Sequence, residues 1–348
     1  MKLEKLRVGV AGLGLIGQVH LVNYLSHPNV EVVALADTDP ERRAGKLNRL
    51  HGNLDEFTKE PIALGEFRSY EDPFKMCEDK DIDIISVCLP SDLHAAVTLK
   101  ALENGKHVFC EKPPALTSRE AIRLTVTAEA MGKTLMFGHV LHFWAEYVEA
   151  GKIIESKKYG RSLAASFARC SSRPAWSIGG AEQGWFGNPE RSGGVAVDLH
   201  IHDADIAVWW WGRPQEIDAS GAFIGNIPSV IHSRWRFRDG LIAQFEATWE
   251  TVTTMPFYFN FKVTMERATL LFDSRNADGL QLATEDKLVS IPLKKAEAYR
   301  LEDYYFIDCI LHGKPVDRCP PESSILSLDC VLEEARQIAE RHRGITSV

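Results

Sequence analysis

The sequence predicts an α/β chain in two parts. The first is a parallel sheet covered by helices. The second is an α+β half built on a large, mostly antiparallel open sheet. Three observations carry this. Apolar runs alternate with helical stretches up to about residue 138. Beyond it the chain is rich in short β-like segments spaced by turns. With 348 residues, 45% of them hydrophobic, it holds enough apolar material for two cores.

The elements follow in order. Leu6–Ala11 is apolar and β-branched and is stopped by glycines, as in a buried parallel strand. A helix from Ile16 to Leu25 breaks at His27-Pro28-Asn29, and Val30–Ala36 is the next strand, ending at Asp37. Asp39-Pro40-Glu41 opens another helix, with proline at its first position. Ile82–Cys88 and Lys106–Cys110 are strands, separated by a helix from Asp92 to Glu103 that ends at Asn104-Gly105. Ser118 is placed to cap a helix running to Ala130, and Thr134–Phe137 is the last strand of this half.

The β-like segments of the second half are Ser162–Arg169, Glu216–Ile224, Val230–Phe237, Leu241–Trp249, Asn260–Met265 and Ala268–Phe272. An apolar helix over Val195–Trp211 interrupts them, and an amphipathic helix over Ser323–Arg341 follows Pro320-Pro321. The expected division is 1–138 and 139–348, with the C-terminal helix a candidate to pack back on the first part.

A net charge of −8 argues against nucleic acid as the main partner. The longest apolar runs, Ile84–Pro90 and Ala204–Trp211, are too short to span a bilayer. The N-terminus lacks a signal-peptide pattern. The seven cysteines form no C-x-x-C pair, which points to reduced thiols in a cytoplasmic protein.

Gly12-Leu13-Gly14-Leu15-Ile16-Gly17 is a G-x-G-x-x-G between a strand and a helix, the context a dinucleotide site requires. Gly12 permits the tight turn, Gly14 lets backbone approach a pyrophosphate, and Gly17 lets helix and strand pack. The helix start at Leu15 and Ile16 supplies N–H groups to the phosphates. Asp37, 20 residues beyond Gly17, is placed for the adenosine ribose hydroxyls. A 2′-phosphate would face Asp37 and Asp39, so NAD is favoured; Arg42 and Arg43 keep NADP open.

Three further segments carry a resemblance. Val87-Cys-Leu-Pro90-Ser-Asp-Leu-His94 precedes Glu111-Lys112-Pro113. Ser192-Gly193-Gly194 leads into Asp198-Leu-His200-Ile-His202-Asp-Ala-Asp205. The tail holds Tyr305-Phe-Ile-Asp-Cys-Ile310 and Gly313-Lys-Pro. Together they resemble the Gfo/Idh/MocA family of NAD(P)-dependent sugar and polyol oxidoreductases. The resemblance implies a Rossmann domain and a substrate and oligomerisation domain, whose sheet makes a homodimer or homotetramer. It places Pro90 and His94 at the nicotinamide end, Glu111 and Lys112 among the cofactor contacts, and a cis peptide before Pro113; a helix cap is the bland alternative for His94. It implies hydride transfer between the cofactor and a secondary alcohol or ketone. The chain departs from the family at Leu89, at His139-Val-Leu-His142 and at His200, all near the expected substrate.

Alcohol oxidation needs a base, a cation for the alkoxide and a C–H aimed at the nicotinamide. Lys112 fits the cation, at the C-terminal end of a buried strand. His202 fits the base, and Asp198, four residues earlier on a helix, shares its face and orients it. Substrate contacts are assigned to His139, His142, Arg173, Trp176, Trp185, Asp198 and His200. For the histidines a core role is the bland alternative, and for Arg173 to Trp185 a core or subunit contact. His200 and His202 point apart on an ideal helix, and no metal is expected; a site built from Asp198, His202 and His139 or His142 is the minor alternative. Two other functions stay open. One is a glycoside-cleaving enzyme that oxidises transiently with a retained NAD. The other is a non-catalytic dinucleotide-binding regulator.

Overall fold

Strand β1 (Leu6–Ala11) lies inside a six-stranded sheet in the computed structural model, which describes residues 5–45, 47, 67–174, 184–224, 227–294 and 296–346. The chain divides into two compact units. Unit 1 takes residues 1–140 and 297–325; unit 2 takes 141–296 and 326–348.

Unit 1 adds β2 (Val30–Ala36), β3 (Arg68–Tyr70), β4 (Ile84–Val87), β5 (His107–Glu111) and β6 (Leu135–Gly138). Their order is β3-β2-β1-β4-β5-β6, and every pairing is parallel. The strands are apolar on both faces because helices cover both. Those helices are α1 (Leu15–Ser26), α2 (Pro40–Arg43), α3 (Pro73–Cys77), α4 (Ser91–Glu103) and α5 (Ser118–Ala130). Strand order reverses between β1 and β4, the crevice where open α/β sheets bind ligands. The cap of α5 is Thr117 and not Ser118: its hydroxyl accepts from the Glu120 N–H and donates to the Glu120 carboxylate. The threonine one position earlier thus satisfies a free N–H of the first turn, and the glutamate at the third helical position fixes its hydroxyl.

Unit 2 holds α6 (Ala145–Glu155), β7 (Ser162–Cys170), α7 (Pro189–Ser192), α8 (Ile201–Trp211) and β8 (Glu216–Ile224). It continues with β9 (Ile227–Arg236), β10 (Ile242–Thr248), β11 (Tyr258–Met265), β12 (Thr269–Asp273), β13 (Gln281–Ala283) and β14 (Leu288–Ser290). The eight-stranded sheet has the order β14-β13-β12-β11-β7-β10-β9-β8. Its pairings are antiparallel except β7 with β10. Phe167 and Phe245 stack across that parallel pair at 5.1 Å and pack with Trp235 and Phe261. Buried Arg169 on β7 holds both carboxylate oxygens of Asp203 on α8, at 3.0 and 2.9 Å. The fork geometry fixes the helix on the sheet and satisfies both buried charges.

Two helices close the chain. α9 (Ala298–His312) belongs to unit 1 and packs on α1. α10 (Pro321–Thr346) is the last, and among the described residues no helix is long and apolar enough to cross a membrane.

Candidate active site

The glycine turn is built for close approach. Gly12 has φ of +89°, and a Cβ there would strike the Cys88 carbonyl. A Cβ on Gly17 would strike the Gly12 carbonyl, so only glycine lets α1 come this near. Gly14 differs: nothing lies within 4 Å of where its Cβ would be. The backbone is bare where the helix begins, and the first turn carries no acid and no side-chain cap. Free N–H groups and the positive helix end face that space. The donor set fits a pyrophosphate, and so a dinucleotide.

Asp37 is nearly buried. Its Oδ2 accepts from the Leu13 N–H at 2.8 Å and its Oδ1 from the Asp39 N–H at 2.9 Å. Each oxygen keeps a lone pair for a ribose hydroxyl. The arginines that left NADP open both lie against this same segment. Arg43 donates to the carbonyls of Asp37 and Thr38, and Arg42 lies 3.6 Å from Asp39.

Pro90 begins α4, and His94 lies inside that helix. Its Nδ1 is 2.7 Å from the Pro113 carbonyl and its Nε2 2.7 Å from the Leu89 carbonyl. Carbonyls only accept, so both nitrogens must donate and the ring is an imidazolium. Burial opposes the charge, but the Cys110 sulfur and the two carbonyls outweigh it and raise the imidazole to about 9. His94 thus ties the loop after β4 to the loop after β5. The Lys112–Pro113 peptide is cis.

Glu111, at the end of β5, uses both oxygens. Oε2 accepts from the backbone N–H of Lys112 at 3.0 Å, and Oε1 lies 2.9 Å from Nε2 of His20. The other nitrogen of His20 lies 2.8 Å from Oδ1 of Asp303, whose Oδ2 accepts from the Asn23 side chain. Burial disfavours a charged His20, yet Asp303 and Glu111 raise it well above the usual histidine range. Burial likewise works against ionised Glu111, and His20 overcomes it and lowers that carboxyl. Glu302, also fully buried, goes the other way: burial and the Glu111 charge push its carboxyl well above the usual carboxylate range. Sequence reading missed His20, Glu302 and Asp303. The available signal was an acid pair inside the aromatic run of α9.

In unit 2, Gly193 and Gly194 have φ of +76° and +69°. A Cβ on Gly193 would lie 2.5 Å from Cβ of Val197. The expected single helix over 195–211 is corrected here. Ala196–His200 is a π-helical turn, and α8 begins only at Ile201. The wider turn carries Asp198 and His200, with His202 in the first turn of α8, so ideal α spacing does not describe the trio. Asp198 is buried and His202 half-buried.

The remaining candidates divide. His200 is fully buried, 2.9 Å from Oε2 of Glu334, whose Oε1 takes the indole N–H of Trp235. His142 lies 2.7 Å from Oδ2 of Asp205 and stacks on Trp209 at 4.3 Å. Both are held by buried carboxylates, as core histidines are. His139 is buried in unit 1, just after β6. Arg173 donates to Glu250 at 2.8 Å and to Ser229 at 3.2 Å, beside a small cavity that Phe186 and Trp249 also line. Trp185 stacks on Phe186 at 3.8 Å. Trp176 lies outside the described residues.

Known proteins extend this picture. A family model described as an oxidoreductase family with an NAD-binding Rossmann fold matches residues 6–139. The Gfo/Idh/MocA C-terminal domain matches residues 147–271. The chain is 24% identical over 329 residues to the scyllo-inositol 2-dehydrogenase (NAD(+)) of Bacillus subtilis (strain 168), covering 89% of this chain and 88% of that protein. It is 28% identical over 251 residues to the 1,5-anhydro-D-fructose reductase of Ensifer adhaerens, covering 70% of each. Among solved structures, the aldose-aldose oxidoreductase of Caulobacter crescentus superposes with a TM-score of 0.79 at 19% identity, over 97% of this chain and 98% of that one. The glycine turn sits inside the first matched stretch and the π turn inside the second, and on those two matches the chain belongs to the Gfo/Idh/MocA oxidoreductase family.

Proposed function

We propose that the protein is an NAD-dependent dehydrogenase acting on a secondary alcohol or ketone of a sugar, polyol or inositol-like substrate. The observation that carries this is the bare, uncapped start of α1, with Asp37 pinned beside it. The likeness to an inositol dehydrogenase over most of the chain supports the substrate class. The pinned Asp37 carboxylate supports NAD over NADP.

NAD, when bound, supplies the hydride acceptor. The chain supplies the rest. The Lys112 ammonium stabilises negative charge on the substrate oxygen. A ring nitrogen of His202 takes the hydroxyl proton as the C–H hydride leaves carbon, and returns it in the reverse direction. The Asp198 carboxylate stabilises the resulting imidazolium. Electrons and protons balance: one hydride leaves carbon and one proton leaves oxygen. The seven buried, unbridged thiols support a cytoplasmic setting. A large, mostly antiparallel sheet with one face open to a further layer supports a homodimer or homotetramer through unit 2. A monomeric mass by light scattering would remove that last point.

The test is a panel of sugars, inositols and sugar acids with NAD and NADP, read by absorbance of the reduced nicotinamide. Activity is expected on at least one polyol, with NAD preferred. Lys112→Met and His202→Ala are each expected to lower kcat by about 100-fold or more, with NADH binding retained. Full activity in both variants overturns the assignment.

A further inference from the structure

We propose that His20 is a positioning residue for Lys112. Clamped between Asp303 and Glu111, it fixes the Glu111 carboxylate that holds the Lys112 backbone N–H. This inference rests on the catalytic role proposed for Lys112.

The argument is geometric. His20 is fully buried, with each ring nitrogen on a different carboxylate, at 2.8 and 2.9 Å. Ionised carboxylates only accept, so both nitrogens donate and neither carboxylate is free to rotate. Asp303 is itself anchored, by Asn23 at 2.8 Å. Glu111 then has one oxygen committed to His20 and turns the other to the Lys112 amide at 3.0 Å.

The neighbouring strand packs closely against Glu111. Glu111 pairs with Gly138 across β5 and β6, and a Cβ on Gly138 would lie 3.2 Å from the Glu111 carboxyl carbon. The ring of His20 rests on Phe109 at 4.8 Å and meets Tyr299 edge-on at 5.9 Å. His20 also stands three residues beyond Gly17, on the helix whose start forms the dinucleotide turn. One imidazolium therefore ties that helix to the segment carrying Lys112. Isolated buried histidines save desolvation cost by staying neutral; a charged one between two acids on different elements holds those elements in register.

The experiment compares His20→Asn, Glu111→Gln and the double variant with the intact protein, using the polyol most active in the panel. Each single variant is expected to lower kcat about tenfold or more, with KM and NADH affinity within about threefold. The double variant is expected to be no worse than the poorer single, because both act through one chain of contacts. A second readout needs no substrate: competitive acetic anhydride labelling of Lys112 against the other lysines, followed by peptide mass across pH. The Lys112 labelling profile is expected to shift at least threefold in both single variants. If His20→Asn fails to fold, the near-isosteric Glu111→Gln carries the test. Unchanged kcat and unchanged labelling in Glu111→Gln overturn the inference. Lys112→Met separates the two readings: if it remains active, the role of Lys112 fails; if it is inactive while Glu111→Gln behaves as wild type, only the positioning role fails.

Discussion

Asp37 organises its surroundings through two backbone amides, Leu13 in the glycine turn and Asp39 beyond β2. Removing the carboxylate therefore acts on the turn as well as on any ribose contact. Hydrogen bonds to charged groups contribute about 1.5–3 kcal/mol each. Asp37→Ala is expected to weaken NADH binding by about tenfold or more and to narrow the gap to NADPH, which in the intact protein meets the Asp37 and Asp39 charges. Fluorescence titration with both reduced cofactors measures this, and an unchanged NADH-to-NADPH ratio rejects it. At this scale much was legible. The glycines and Asp37 announce themselves by spacing, and His94 and the Glu111-Lys112-Pro113 run by the resemblance to the family. His20 does not, because a histidine inside an apolar helix looks the same whether it packs neutrally or bridges two acids. Its partner Asp303 is 283 positions away, beyond any local pattern.

Among the elements, the bond from His94 on α4 to the loops after β4 and β5 makes a prediction with a sign. The imidazole is raised to about 9 in the folded protein and titrates near 6.5 when unfolded. Its contribution is fully present below about pH 6.5 and is lost as pH rises through about 9. The full difference is about 3 kcal/mol. Thermal unfolding at pH 6 and pH 9.5 should show a larger fall in wild type than in His94→Asn. Parallel falls would exclude the charged bridge. Eleven of the fourteen strands among the described residues were readable, within one to three residues, because both sheets alternate or bury their side chains in regular ways; β3, β13 and β14, three residues each, are too short to show a period and were not read. The π turn at Ala196–His200 was not, since its residues are as apolar as an α-helix requires and only its hydrogen bonding differs. Helix α9 was also missed: Glu302 and Asp303 are buried there, against the rule that acids face water.

For the whole molecule, the division into units does not follow the order of the chain. Unit 1 is completed by residues 297–325. A fragment of residues 1–140 would leave His20 and Asn23 without Asp303, and breaking such a buried pair costs about 3–5 kcal/mol. That fragment is expected to lack a cooperative thermal transition by circular dichroism. The same fragment joined to residues 297–325 by a flexible linker is expected to regain one. A cooperative melt of residues 1–140 alone would contradict this. The two-part organisation was legible because the periodicity changes near residue 138. The return of the chain was not, since nothing local in α9 says which half it completes.

Asp303 also has a consequence in time. A ribosome adds about 5–20 residues per second, so on the order of 10–30 seconds separate the last strand of the first sheet from the helix bearing Asp303. Through that interval His20 and Asn23 have only water where their acid will be. The half of the protein that is begun first is therefore among the last parts to be finished, after every strand of the second sheet has been made. A nascent chain paused before residue 297 should bind no dinucleotide tightly, and one released past residue 325 should acquire that ability.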